Sequence, residues 1–150
     1  MKKFMALALA LVMALSALTA CGGNDAAKTA KVIDIKLTDE QYAFGVDKNQ
    51  PELLADVNDF IKKIKDDGTF DKICDKYFGE GTPEAVTSAK LDESKDQLVI
   101  ATNAAFAPFE YTEDGGKTYL GVDMEIAALL AKELGKELVI QDMEFESVCT

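Results

Sequence analysis

The chain has 150 residues, of which 48% are hydrophobic and 29% charged, a balance typical of one globular domain. Its formal net charge of −11 at pH 7 disfavours nucleic acid and anionic membrane surfaces as partners, because both are negatively charged. The chain has no His, and Cys21, Cys74 and Cys149 have no CxxC spacing, so we predict neither a metal site nor a cofactor.

Residues 1–20 have the pattern of a secretory signal peptide. Lys2 and Lys3 form a basic start, and the apolar run 4–17 is shorter than the roughly 20 residues of a membrane-spanning helix. Residues 18–21 (LTAC) resemble the lipobox of bacterial lipoproteins, so we expect cleavage before a lipidated Cys21 and an extracytoplasmic location. Cleavage would remove two positive charges and change the net charge from −11 to −13. A transmembrane anchor with an incidental cysteine is the alternative.

Residues 21–31 are predicted to be a tether, and two strands are predicted after it. Apolar and polar residues alternate over Val32–Leu37, as in a half-buried strand, and a second strand is expected at Tyr42–Val46. Because extracytoplasmic compartments are oxidising, a disulfide between Cys74 and Cys149 is an open alternative.

Two amphipathic helices are predicted between residues 51 and 79. Pro51 suits the first helical position, and Asp66-Asp67-Gly68 is predicted to stop this helix. Its apolar residues recur at helical spacing: Leu53, Leu54, Val57, Phe60, Ile61 and Ile64. Thr69 is predicted to cap the second helix, which ends near Gly79.

Residues 80–97 lack periodicity and are predicted to be a linker, after which strands and a helix alternate. Strands are expected at Leu98–Ala101 and Leu138–Ile140. Between them, Asp114-Gly115-Gly116 predicts a turn, and a helix is expected to be capped by Asp123 and ended by Gly135. Phe145 and Val148 are expected to begin a further helix. This order predicts an α/β fold with a mainly parallel sheet and flanking helices.

Residues 98–148 resemble the beginning of family 3 solute-binding proteins, the extracytoplasmic amino-acid receptors of ABC transporters. The resemblance lies in four motifs at the family's spacing: LVIATNAAFAPFEY at 98–111, GVDMEI at 121–126, AKELG at 131–135 and MEFESV at 143–148. It implies a periplasmic-binding-protein-like fold of type II, of which this chain holds most of lobe 1.

Residues 42–79 resemble the end of the same domain, so the usual end precedes the usual beginning. The motifs are YAFGV at 42–46, NQPEL at 49–53, DGTFDKI at 67–73 and YFG at 77–79. We interpret 32–79 as the C-terminal part of lobe 1 and 98–150 as its incomplete N-terminal part, joined by circular permutation. The two segments should then share one core. A remnant of two fused tandem domains is the alternative.

The resemblance places Asn103, Phe106 and Phe145 at ligand-contact positions. Asn103 stands where many relatives have Asp, which disfavours a strongly cationic ligand, and the two aromatic rings would pack against the ligand's stem. Core packing is the alternative role for both rings. Glu110 and Asp123 also match family positions, but we expect caps and turn hydrogen bonds to explain them. The family's carboxylate-binding Arg and ammonium-binding Asp are expected beyond Thr150, since this chain contains no Arg.

The sequence therefore predicts a lipid-anchored receptor that binds a polar amino acid and delivers it to an ABC transporter permease. A ligand-sensing domain is an alternative. An enzyme on the same fold is a second alternative, but no set of residues here indicates a catalytic site.

Overall fold

The computed structural model describes residues 33, 35 and 40–149, and the chain divides into two units, residues 1–43 and 44–150. The predicted signal peptide, Cys21, the tether and most of the strand predicted at 32–37 lie outside the described residues. In the first unit, Ile33 and Ile35 are exposed and residues 40–43 have no regular structure. None of the described helices has the length and apolar character needed to cross a membrane. All described helices and strands lie in the second unit.

Two helices open this unit, as the periodicity predicts. Helix α1 spans Pro51–Asp66 with Pro51 in its first turn, and helix α2 spans Thr69–Phe78. The predicted cap is wrong by one residue, because Gly68 is the N-cap of α2 and Thr69 is its first helical residue. Gly68 has a left-handed φ of 76°, which glycine adopts without steric cost. The Oδ1 of Asp67 accepts the Thr69 N–H at 2.9 Å and so performs the capping role.

Two parallel strands form the sheet. Strand β1 (Gln97–Thr102) pairs with the strand Glu137–Asp142, with Leu98 opposite Leu138 and Ile100 opposite Ile140. The connection between them contains β2 (Ala105–Phe106), which is antiparallel to β3 (Glu110–Tyr111), and then helix α3 (Val122–Glu133). Glu137–Asp142 is therefore β4, and the parallel pair is joined through a helix, as parallel strands require.

The two ends of α3 differ in how well the sequence predicts them. Gly121, with φ of 129°, is the N-cap instead of Asp123, and a Cβ at Gly121 would lie 2.0 Å from the carbonyl oxygen of Phe109. Only glycine fits this close approach, so Asp123 falls inside the first turn. At the other end, Gly135 is left-handed as predicted, and the Lys136 N–H donates to the Ala131 carbonyl in a Schellman motif.

Three further segments differ from or add to their predictions. Residues 42–46 form no strand, because no described strand lies beside them to share hydrogen bonds. Within the described residues, Phe145–Ser147 forms a single 3₁₀ turn at the position of the predicted further helix. The linker at 80–97 stays a prediction, and the structure holds it at two points: Val86 exchanges two 2.8 Å backbone hydrogen bonds with Tyr119, and the Ala89 N–H donates to the Leu138 carbonyl. Cys74 and Cys149 are both free thiols.

One hydrophobic core unites the segments on either side of residues 80–97. The helices α1 and α2 contribute Val57, Phe60, Ile64 and Ile73 to the same cluster that contains Leu98, Ile126, Leu130, Leu138 and Ile140. The prediction that the two segments share a core is confirmed. Helix α3 packs against β1 and β4, and α2 packs against α1 and α3, whereas Val99 in β1 is 44% exposed.

A buried carboxylate ties α3 to α2 and to the segment that follows α2. Glu125 is 5% exposed and accepts three hydrogen bonds, from Lys76 Nζ at 2.6 Å, Tyr77 Oη at 2.7 Å and the Glu84 N–H at 3.1 Å. Lys76 also pairs with Glu84 at 2.8 Å. Because a buried charge is stable only with such partners, Glu125 fixes α2 against α3.

We expect Glu125→Gln to lower the free energy of unfolding by about 2–3 kcal/mol, since it removes the charge that Lys76 and Tyr77 face. Urea denaturation measures this. The control on the same helix is Glu133→Gln, whose ion pair with Lys63 is half-exposed and should contribute less than about 1 kcal/mol. Equal losses in the two variants would contradict a special role for Glu125.

Candidate functional site

The candidate site lies where β1 and β4 end. In parallel strands the carboxyl ends meet at one edge, and ligands of open α/β sheets bind outside that edge. Thr102 lies opposite Asp142 at the last pair of the register, so the loops that carry Asn103 and Phe145 leave the sheet side by side.

Three hydrogen bonds lock these two loops together. The Met143 N–H donates to the Thr102 carbonyl at 2.9 Å, and the Asn103 Nδ2 donates to the Met143 carbonyl at 3.0 Å. In the reverse direction, the Oδ1 of Asp142 accepts the Ala104 N–H at 2.9 Å. The Asn103 amide therefore shapes the site whether or not it also contacts a ligand.

The two aromatic residues predicted from the sequence are exposed. Phe106 is 55% exposed and Phe145 is 76% exposed, so neither is packed in the core. The Phe106 ring stacks on Phe109 with ring centroids 5.6 Å apart and an interplanar angle of 14°. Within the described part of the chain, no ring contact joins Phe106 to Phe145.

Phe109 links the site to the first segment of the chain. Its ring also meets Phe78, at the end of α2, edge-on at 5.9 Å. Phe78 is 61% exposed, and the three rings form an aromatic strip, Phe78–Phe109–Phe106. Sequence reasoning missed this strip because Phe78 lies far along the chain from Phe106 and Phe109.

Asp142 is a second residue that sequence reasoning missed. A polar residue directly after the apolar run of β4 was a usable signal, because that position falls at the carboxyl edge of the sheet. Its side chain is exposed and holds the Asn103 loop through the Ala104 N–H. Asp142 therefore places a carboxylate beside the neutral Asn103, and the exposed Glu144 and Glu146 flank Phe145.

Glu110 directly follows Phe109, and Asp123, which was expected to cap α3, is not its N-cap. Glu110 belongs to β3 opposite Phe106, and Asp123 lies in the first turn of α3. Burial, reinforced by the Asp123 charge, raises the pKa of Glu110 to about 7. Burial also raises the pKa of Asp123 to about 6. Among the described residues, no group of three or more Cys, Asp or Glu side chains could hold a metal ion.

The family described as bacterial extracellular solute-binding proteins, family 3, matches residues 7–80 and 98–150. The chain belongs to this family. As a family 3 member, it shows part of the type II periplasmic-binding fold, with the parallel β1–β4 pair flanked by helices. No solved structure matches the chain.

Two relatives of this family 3 chain are named for arginine binding. The arginine-binding extracellular protein ArtP of Bacillus subtilis is 42% identical over 59 residues, which cover 39% of this chain and 22% of that protein. The probable ABC transporter arginine-binding protein ArtJ of Chlamydia trachomatis is 28% identical over 57 residues, 38% of this chain and 22% of that protein. The chain thus spans about a fifth of the length of the curated relatives it matches.

We expect the stability of the domain to fall as the pH rises from about 4.5 to about 7. The pKa of Glu110 is raised in the folded state to about 7, so the folded protein holds a proton there that the unfolded chain releases at lower pH. Glu110→Gln removes this ionisation and should flatten the pH profile of the melting temperature in that window.

The control for this profile is Glu113→Gln, because Glu113 is an exposed carboxylate three residues along the chain. That variant should keep the wild-type slope. If the melting temperature depends on pH equally in the wild type and in Glu110→Gln, Glu110 does not ionise in a buried site.

Proposed function

We propose that this protein is an extracytoplasmic receptor that binds an amino acid and delivers it to an ABC transporter permease. The main support is the pair of exposed aromatic side chains, Phe106 and Phe145, beside loops that are locked at the carboxyl edge of the sheet. Membership of the extracellular solute-binding family and the names of the two relatives support the same proposal.

The described residues would form one wall of the binding site. Phe106 and Phe145 offer apolar surface for the ligand's stem, and an aromatic face also attracts an ammonium group by roughly 0.5–2 kcal/mol. An amino acid must also pair its carboxylate and its ammonium when it leaves water, which requires charged partners. The chain contains no Arg for the carboxylate, so we propose that the carboxylate partner and the second wall belong to parts of the type II fold other than residues 44–149.

We propose a polar ligand that is not strongly cationic. Asn103 is neutral, and its Nδ2 is already engaged by the Met143 carbonyl, so it cannot offer a fixed negative charge. Asp142 is the one carboxylate that holds these loops, and its Oδ1 is bonded to the Ala104 N–H. The names of the two relatives make arginine the competing ligand in any test.

The order of the segments is best explained by circular permutation within one lobe. Residues 32–79 would be the C-terminal part of lobe 1, and 98–150 its N-terminal part. The support is the common core of α1, α2, β1, β4 and α3, because tandem domains would each bury their own apolar faces. Residues 80–97 would close the original termini.

Cys21 is proposed to anchor the protein to the cell membrane as a diacylated N-terminus. Mass spectrometry of the membrane fraction tests this, and we expect a mature chain that begins at a lipidated Cys21. An unmodified Cys21 or a retained Met1 would contradict it.

Calorimetric titration against a panel of amino acids tests the binding proposal. We expect no measurable affinity in the 150-residue chain, because one wall cannot offset the several kcal/mol lost in immobilisation and desolvation. A form extended through both lobes should bind one polar amino acid more tightly than arginine. Micromolar binding by the 150-residue form would show that the site is misplaced.

In the extended form, Phe106→Ala should weaken binding by roughly tenfold or more, because about 1.5–3 kcal/mol of apolar packing is removed. The matched control is Phe44→Ala, which removes another exposed ring outside the candidate wall. Equal affinity in the wild type and Phe106→Ala would remove Phe106 from the site.

A further inference from the structure

A groove separate from the candidate site runs between α2, α3 and the segment 84–87. Its volume is about 690 Å³, and it reaches Lys136 and Leu138 at the amino-terminal end of β4. None of Asn103, Phe106 or Phe145 lines it. Four lysines do: Lys72, Lys76, Lys132 and Lys136.

The groove reverses the charge balance of the chain. The whole sequence has 16 basic and 27 acidic residues, whereas the groove has four lysines and two carboxylates, Glu84 and Glu125. Both carboxylates are bonded to Lys76, at 2.8 and 2.6 Å. The other three lysines also line the groove, and neither of the two carboxylates that line it pairs with them.

The three remaining lysines have little competition from outside the groove. Lys136 pairs with Asp96 at 2.7 Å, but the Asp96 side chain is 81% exposed, so water and salt screen this pair. Lys72 and Lys132 are exposed and form no ion pair with any described residue. The Asp67 carboxylate, which lies near Lys72, accepts the Thr69 N–H.

The floor of the groove is rigid. Ile73, Val86 and Leu138 line it, and each is buried in the hydrophobic core. Val86 is fixed by its hydrogen bonds to Tyr119, and Lys76 by its two carboxylates. The lysines therefore project from elements that packing already holds in place, which lowers the entropy lost when a ligand binds.

We propose that this groove binds a small, multiply charged anion of the phosphate class. Lysine ammonium groups recognise phosphate as point charges, and three of them in one groove favour a dianion over chloride. The net charge of −11 opposes docking on an anionic membrane, where the whole protein meets the surface. A small anion in the groove is shielded from distant charges, because the Debye length is about 8 Å at physiological ionic strength.

Titration of the ¹⁵N-labelled 150-residue chain with inorganic phosphate tests the proposal, with sodium chloride of equal ionic strength as reference. We expect saturable shifts of the backbone amides at Thr69, Lys72, Thr87 and Lys132 with phosphate only. Lys72→Gln combined with Lys132→Gln should weaken binding by about tenfold. Melting temperatures verify that this variant folds, as its exposed positions predict.

The matched control replaces Lys48 and Lys65, two exposed lysines outside the groove, and should bind phosphate like the wild type. Shifts that do not saturate, or that weaken equally in both double variants, would overturn the proposal. Sedimentation with phosphatidylglycerol vesicles separates a lipid headgroup from a free anion. Binding to vesicles without binding to phosphate would also overturn it.

Discussion

The Glu125 carboxylate connects parts of the chain that lie far apart in sequence. It belongs to α3, yet its hydrogen bonds come from Lys76 and Tyr77 of α2 and from the backbone of Glu84. Such a buried acceptor specifies one arrangement of the helices, because any other would leave a charge without partners at a cost of several kcal/mol. The apolar core alone, which tolerates repacking, would not impose this geometry.

From this arrangement follows the link between the core and the candidate site. The end of α2 places Phe78 against Phe109, and Phe109 supports Phe106 by stacking. Phe78, from the segment 42–79, thus supports the aromatic rings of the segment 98–148. Helices α2 and α3 also line the groove that contains the four lysines. The position of α2 therefore determines two surfaces with different chemistry.

Elements with strong periodicity could be predicted from the sequence, whereas features that depend on tertiary contacts could not. Helix α1 follows from its apolar spacing, and β1 and β4 follow from short apolar runs. Residues 42–46 carry a strand pattern, but no strand among the described residues lies beside them, and a strand without a partner cannot satisfy its backbone groups. The glycine caps at 68 and 121 replace the predicted Thr69 and Asp123 because the local geometry demands a positive φ.

The candidate site was predictable only in part, for the same reason. Resemblance placed Asn103, Phe106 and Phe145 at ligand-contact positions, a role that stays a prediction. Asp142 and the Phe78–Phe109 contact emerge only when the strands and helices are brought together. Phe106 and Phe145 are exposed, which argues against core packing for both rings. Exposure depends on the folded structure, so no pattern in a single sequence reports it.

The shared core implies that α1 and α2 form one cooperative unit with β1, β4 and α3. Native-state hydrogen exchange in increasing denaturant measures it most directly, because amides that exchange only by global unfolding report a common free energy. We expect the slowest amides of Phe60, Ile73, Leu130 and Ile140 to converge on one value with the same denaturant dependence. Two separate values, one for α1 and α2 and another for the sheet and α3, would contradict the account.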